Sequence, residues 1–157
     1  MRYLAIFLLL LACQTPNSVP QFDAKASEIV AQDTREMLQD YHAAIDKGGL
    51  KAEFAYLDSS RQFFWVPPGY ESALDFDSVK TILLQNAKAM KQVTFKWETL
   101  SIYPLSHELA TFQGIVTGNM KDTSNTDFPV HILESGTLIK RPDGWKLLSG
   151  QSANLNP

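Results

Sequence analysis

The side chains that most often carry chemistry in proteins are scarce in this 157-residue sequence, which holds one cysteine and three histidines. The cysteine is Cys13, and the histidines are His42, His107 and His131. No two histidines have the spacing of metal ligands, and no second cysteine could complete a zinc site. The sequence also lacks a glycine-rich phosphate loop and a nucleophile elbow. We therefore expect neither a metal nor another cofactor.

The N-terminal segment has the layout of a secretory signal peptide. Arg2 supplies the positive charge, an apolar stretch follows over residues 3–11, and Ala12 is the small residue before the cleavage site. The stretch is shorter than the ~20 residues that a membrane-spanning helix needs. Since Cys13 is the only cysteine, an internal disulfide and thiol catalysis in the mature domain are both excluded.

The residues Leu10-Leu11-Ala12-Cys13 resemble the lipobox of bacterial lipoproteins, in which the cysteine is lipidated and becomes the first residue. The resemblance implies lipidation at Cys13 and attachment to a membrane of the cell envelope. Gln14 stands where inner-membrane lipoproteins usually have Asp, which favours the outer membrane, facing the periplasm, if the cell is Gram-negative. The alternative is an ordinary signal peptide that ends in cysteine by chance. A polar tether over residues 13–25 would join anchor and domain.

The remaining chain has the size and charge of one ordinary globular domain, which we place at residues 26–157. Removing residues 1–12 leaves enough chain for one hydrophobic core. The formal net charge of the whole sequence is -3. Because nucleic-acid binding needs clustered lysine and arginine, we expect no nucleic-acid partner.

The hydrophobic pattern predicts helices first and long strands afterwards. Apolar residues recur with helical spacing, and a short aromatic strand precedes Pro67-Pro68-Gly69. The predicted helices cover residues 27–47, 50–57 and 75–90, the short strand covers 62–66, and the long strands, which alternate with a period of two, cover 93–103, 109–120, 127–141 and 145–151. This order predicts an α+β domain whose antiparallel sheet curls over the helices.

Three segments resemble the NTF2-like superfamily, and within it the SnoaL-like group. Residues 41–50 are similar to the end of the family's first helix, residues 57–69 to its aromatic strand and Pro-Gly turn, and residues 139–152 to its final hairpin. The resemblance implies a cone-shaped fold, in which a strongly curved antiparallel sheet packs around three N-terminal helices and leaves a pocket. Because this family includes isomerases, dehydratases, cyclases and non-enzymatic binders, the fold alone does not decide function.

The resemblance also shows which residues of this sequence stand at the catalytic positions of the family. Tyr41 matches the tyrosine that stabilises an oxyanion in ketosteroid-isomerase-like members. Their catalytic carboxylate belongs just before the Pro-Gly turn, where this chain has Trp65 and Val66. Other members place a cavity-facing histidine near the end of the last strand, where this chain has Gln151, which cannot shuttle a proton at neutral pH. These differences argue against an enzyme.

Glu134 and His131 are the other catalytic candidates. Glu134 would be the neutral acid of an oxyanion hole, but charged residues are rarely fully buried, so we expect it to face water. His131 faces the cavity or the outside according to the register of its strand. We expect His42, beside Tyr41 on the helix, to point away from the cavity.

Three functions remain open. The first is non-enzymatic binding of a small apolar ligand, or of an envelope protein, in a pocket lined by Tyr41, Trp65, Trp97 and Gln151. The second is a SnoaL-like isomerase or hydro-lyase. The third is a scaffold that forms a homodimer through the sheet, and an exposed apolar patch on the outer sheet face would support it.

Overall fold

The computed structural model describes residues 21–155, which begin with a long helix, α1 (Ala24–Gly48). The side chain of Asp23 caps α1 by accepting a hydrogen bond from the backbone N–H of Ala26 at 2.8 Å. Gly49 ends the helix with φ at 70°, a conformation that glycine adopts without strain. The helix therefore starts within the segment predicted as a tether.

Two shorter helices complete the helical part. Leu50–Ala55 forms a 3₁₀ helix directly after α1, and Phe76–Ala89 forms α2, which Asp75 caps through the backbone N–H of Ser78. These elements match the predicted second and third helices. Among residues 21–155, none of the helices combines the length and apolar character needed to cross a membrane.

Within residues 21–155, five strands form one sheet in the order β1-β5-β4-β3-β2. They are β1 (Phe64–Val66), β2 (Met90–Pro104), β3 (Leu109–Asp122), β4 (Asp127–Arg141) and β5 (Gly144–Asn154). The four long strands pair antiparallel, as predicted, but β1 runs parallel to β5 at the sheet edge.

Bulges and glycines let the long strands bend around α1. The register shifts between Trp97 and Thr99 on β2, and between Thr137 and Leu138 where β4 meets β5. Opposite the first bulge lies Gly114, where a Cβ atom would stand 2.9 Å from the Trp97 ring. The same Cβ atom would overlap the backbone oxygen of Thr99, so only glycine fits here.

The core lies between α1 and the concave face of the sheet. α1 contributes Val30 and Leu38, and the strands contribute residues such as Phe112 and Leu138, all nearly inaccessible to solvent. This packing leaves the wider end of the cone, toward the 3₁₀ helix and β1, incompletely filled.

Candidate functional site

A cavity of about 490 Å³ occupies the wide end of the cone. Such a volume fits a small organic molecule. Its lining is mainly apolar and aromatic, and consists of Tyr41, His42, Leu50, Glu53, Leu57, Phe63, Trp65, Pro67, Pro68, Tyr70, Val79, Ile82, Leu83, Gln85, Asn86, Phe95, Val116, Met120, Pro129, Val130, Ile132, Glu134, Leu147, Ser152 and Asn154. Its exposed members are Tyr70, Gln85, Asn86, Pro129 and Asn154.

The first polar group in the cavity is a tyrosine–carboxyl pair. The phenol of Tyr41, on α1, donates a hydrogen bond of 2.9 Å to Oε2 of Glu53, on the 3₁₀ helix. Burial raises the pKa of Glu53 to about 8, against the opposing effect of this hydrogen bond. Burial also raises the pKa of Tyr41 well above its usual value, and the nearby carboxylates of Glu53 and Glu134 add to that rise. Tyr41 is therefore a neutral hydrogen-bond donor at physiological pH.

The second polar group is a chain of three side chains that ends at Glu134. The indole Nε1 of Trp65 donates to Oγ of Ser152 at 3.1 Å, and Ser152 donates to Oε1 of Glu134 at 3.0 Å. Burial raises the pKa of Glu134 to about 7, although the hydrogen bond from Ser152 opposes the rise. The chain fixes one carboxyl oxygen and leaves the other available to the cavity.

The outcome for Glu134 corrects the prediction that it faces water. Glu134 alternates on β4 with Leu133, which is exposed on the convex face of the sheet, so Glu134 points into the cone. A carboxyl can occupy this position because Ser152 satisfies it and because its elevated pKa lets it remain partly neutral.

His42 also lines the cavity, contrary to the expectation that it points away. Its ring stacks on Trp97 with centroids 4.7 Å apart, and only 5% of the residue is exposed. Burial lowers the pKa of His42 to about 4, so the imidazole is neutral. Its Nδ1 atom is buried and has no hydrogen-bond partner.

Two of the four predicted lining residues, Tyr41 and Trp65, line the cavity. Trp97 lies one layer behind it, under the His42 ring, with its indole N–H donating to the carbonyl of Leu38 at 3.2 Å. Gln151 is exposed on the convex face of the sheet, so its prediction as a lining residue is wrong. Its neighbour Ser152 takes the inward position.

The other two histidines lie away from the site. His131 is on the convex face of β4, and its Nε2 atom stands 3.8 Å from Oε2 of Glu98. His107 is exposed in the turn between β2 and β3, where its ring contacts Phe22 edge-on. Neither side chain joins Tyr41 and Glu134, so of the two orientations that the sequence left open for His131 the structure has the outward one.

Sequence reasoning missed Glu53, the second carboxyl of the site. A signal was present, because residues three apart share one side of a 3₁₀ helix. Leu50 is apolar and begins this helix, and Glu53 stands three residues later.

The arrangement can hold an apolar body among aromatic rings and contact a polar group with two carboxyls and a phenol. Two carboxyls with pKa values of about 7 and about 8 can exchange protons near neutral pH. No group of three or more His, Cys, Asp or Glu side chains within residues 21–155 is arranged to hold a metal ion.

Comparison with solved structures identifies the architecture. An NTF2-like superfamily protein from Salmonella enterica serovar Typhimurium superposes with a TM-score of 0.70 at 15% identity, covering 83% of this chain and 94% of that one. The chain has the NTF2-like cone fold. This confirms the fold predicted from the three sequence segments.

Other similar structures have names that suggest enzymes. One from Novosphingobium aromaticivorans, provisionally named a scytalone dehydratase, has a TM-score of 0.74 at 14% identity and covers 85% of this chain and 89% of that one. A ketosteroid isomerase-like protein from Erwinia carotovora has a TM-score of 0.64 at 14% identity and covers 81% and 97%. At such identities the likeness shows the fold alone. No protein-family model and no curated protein matches the sequence.

Proposed function

We propose that the protein binds a small, largely apolar molecule in the cavity at the wide end of the cone. The observation that carries this proposal is the cavity itself, an apolar chamber of about 490 Å³ that contains a few converging polar groups. This combination is typical of small-molecule sites. The apolar body of the ligand packs against rings such as Phe63 and Phe95, and its polar group meets Tyr41 and Glu134.

The test is native mass spectrometry of the mature domain purified from its own host. We expect a small molecule that co-purifies and is released on unfolding. A variant that fills the cavity, Ile82→Trp, should lose the bound molecule, because Ile82 lines the chamber. The matched control Ile29→Trp changes an isoleucine that is 52% exposed on α1 and should retain it. Equal occupancy in both variants would place the ligand elsewhere.

A second candidate is proton transfer on the bound molecule, as in an isomerase or a hydro-lyase. The specific observation in its favour is that the pKa values of Glu134 and Glu53 lie at about 7 and about 8, where a side chain can both accept and return a proton. In this reaction Glu134 would take a proton from a carbon next to a carbonyl. The C–H electron pair would become the C=C bond of an enolate, and the π pair of the C=O bond would move onto the oxygen. Tyr41 would stabilise this oxygen by turning its O–H from Glu53 to donate a hydrogen bond to it.

Deuterium exchange separates catalysis from binding. A panel of small ketones is incubated with the protein in heavy water, and exchange next to the carbonyl is followed by NMR. Catalysis predicts accelerated exchange that Glu134→Gln abolishes and that Glu28→Gln, at an exposed carboxylate, leaves unchanged. Ligand binding without any exchange would leave only the binding function.

For location, the proposal is lipid attachment at Cys13 and residence at the cell envelope, with the outer membrane facing the periplasm if the host is Gram-negative. Its support is the order of residues 2–13, a segment that lies outside the described residues. Metabolic labelling with a fatty-acid analogue tests it. The label should appear in the wild-type protein and disappear in Cys13→Ser, whereas labelling of both would contradict attachment at this cysteine.

The scaffold alternative concerns the convex face of the sheet. Leu133 and Phe64 are 39% and 46% exposed there, beside a shallow depression formed partly by Gly136 and Gly150. These apolar side chains favour pairing of two copies through this face. Sedimentation measurements should then show a dimer that Leu133→Lys dissociates. A monomer at all concentrations would exclude this alternative.

A further inference from the structure

The cavity holds two carboxyl groups and no side chain able to neutralise them. Among its lining residues, which all belong to the described part of the chain, there is no lysine or arginine. The polar partners of Glu53 and Glu134 are the neutral hydroxyls of Tyr41 and Ser152. By contrast, Asp58, a buried carboxyl outside the cavity, pairs with Arg141 at 2.6 Å. Within residues 21–155, Glu53 and Glu134 thus lack the positively charged partner that Asp58 has.

The remaining titratable lining groups add no positive charge. His42 is buried and neutral, and its Nδ1 atom has no partner. Tyr41 is a neutral phenol held to Glu53. Tyr70 lies near the mouth and is 45% exposed. The net charge of the lining side chains is therefore zero or negative, according to whether the carboxyls are protonated or ionised.

Aromatic rings surround the same space. Phe63, Trp65 and Phe95 line the cavity together with Tyr41. The face of an aromatic ring carries partial negative charge and attracts a cation, most strongly when the site is shielded from water. Trp65 is also connected through Ser152 to Glu134, so an indole and a carboxyl lie at one end of the chamber.

We propose that the ligand of this cavity is a small organic cation, an apolar body that bears a protonated amine or a quaternary ammonium group held by Glu134, Glu53 and the surrounding rings. This inference rests on the proposed function, because it assumes that the cavity is the binding site. An anionic ligand is disfavoured, since it would meet two carboxyls and no counter-charge. A neutral ligand would form hydrogen bonds but leave the carboxyls uncompensated whenever they ionise.

Cation binding is linked to proton release from the carboxyls. A bound cation favours the ionised form, so its affinity increases as pH rises through the pKa of Glu134, which lies at about 7. If binding requires this one ionised carboxyl, affinity increases roughly 30-fold between about pH 5.5 and about pH 9. The second carboxyl adds to this increase.

Three ligands of one shape but different charge provide the test: 2-phenylethylamine as the cation, 2-phenylethanol as the neutral molecule and phenylacetate as the anion. Titration calorimetry of the domain at the two pH values measures each affinity. We expect the amine to bind at least about tenfold more tightly than the alcohol at the higher pH and to lose most of that affinity at the lower pH. The alcohol should bind no more tightly at the higher pH than at the lower one, and phenylacetate should bind least.

Calorimetry in two buffers of different ionisation enthalpy measures how many protons are released when the amine binds near neutral pH. This measurement needs no mutation.

Glu134→Gln should reduce the affinity for the amine at least about tenfold and leave the affinity for the alcohol unchanged. Glu28→Gln, at an exposed position, should alter neither affinity. Alcohol binding as tight as amine binding at both pH values would overturn the cation inference while leaving the cavity as the ligand site. Binding of none of the three would contradict the proposed function as well.

Discussion

Glu53 makes the stability of the fold depend on pH in a direction opposite to that of most carboxylates. The pKa of Glu53 rises from 4.5 in the unfolded chain to about 8 in the folded protein, chiefly because the carboxyl is buried. Between these values the unfolded chain releases the proton and the folded protein keeps it. Increasing pH therefore favours unfolding across this range, and the full penalty is present above about pH 8.

The magnitude follows from the two pKa values. At about 1.4 kcal/mol for each pKa unit, the rise from 4.5 to about 8 corresponds to at most about 5 kcal/mol. Glu53→Gln removes the ionisation and keeps an oxygen that can accept the hydrogen bond from Tyr41. The variant should match the wild type at about pH 4 and exceed its free energy of unfolding at about pH 9 by up to that amount.

Urea unfolding followed by circular dichroism, at both pH values, measures the difference. For a domain of this size, the gain corresponds to a thermal midpoint roughly 10–20 °C higher at the alkaline pH. Glu28→Gln, at an exposed position on α1, is the control and should change stability at neither pH. An equal gain at both pH values, or none at about pH 9, would refute the reasoning, because the carboxyl would then ionise normally in the folded protein.

Three further predictions concern other buried polar groups. His42→Phe should raise the free energy of unfolding near pH 4 by up to about 3 kcal/mol. Burial lowers the pKa of His42 from 6.5 to about 4, so the folded protein resists a protonation that the unfolded chain accepts. Acid titration followed by tryptophan fluorescence measures the gain, and an unchanged acid midpoint would contradict it. Arg141→Ala should cost about 2 kcal/mol near neutral pH, because buried Asp58 loses its partner. Burial alone would raise the pKa of Asp58, but hydrogen bonds from Arg141 and Ser60 hold it below its usual value, so the cost should shrink once acid protonates Asp58. Urea unfolding at neutral and at acidic pH measures the loss, and equal losses at both would oppose this account. Ser152→Ala should raise the pKa of Glu134 further, because it removes the hydrogen bond that favours the ionised carboxylate; NMR titration of the carboxyl carbon measures it, and a lowered pKa would refute the assigned donor direction.

The sequence determined the elements because hydrophobic spacing and capping act locally. The 3.6-residue period predicted the helices, the two-residue period predicted the long strands, and the bounds of β4, Asp127–Arg141, were predicted to the residue. Asp23 and Asp75 cap α1 and α2 by accepting hydrogen bonds from backbone groups three residues further along the chain. These features require only neighbours along the chain, so one sequence suffices to predict them.

The tertiary structure decided which side chains enter the cavity. Along β5, Trp145 and Leu147 face the core, and simple alternation would turn Gln151 inward as well. However, Leu138 pairs with Leu147 while the preceding residue of β4 pairs with Ser149, so β5 carries one extra residue. One extra residue in a strand moves every later side chain to the opposite face of the sheet, and no local sequence pattern reveals it.

The charge state of the site was likewise a property of the folded chain. Glu53 and Glu134 are 81 positions apart in the sequence, and the sequence around each of them indicates no shift of its pKa. Closing the sheet over the 3₁₀ helix puts both carboxyls in one enclosed space, next to hydroxyls and rings and without a cation. Residue types fix what a side chain can do, whereas burial and proximity, which depend on strands and helices distant in sequence, determine whether it holds a proton.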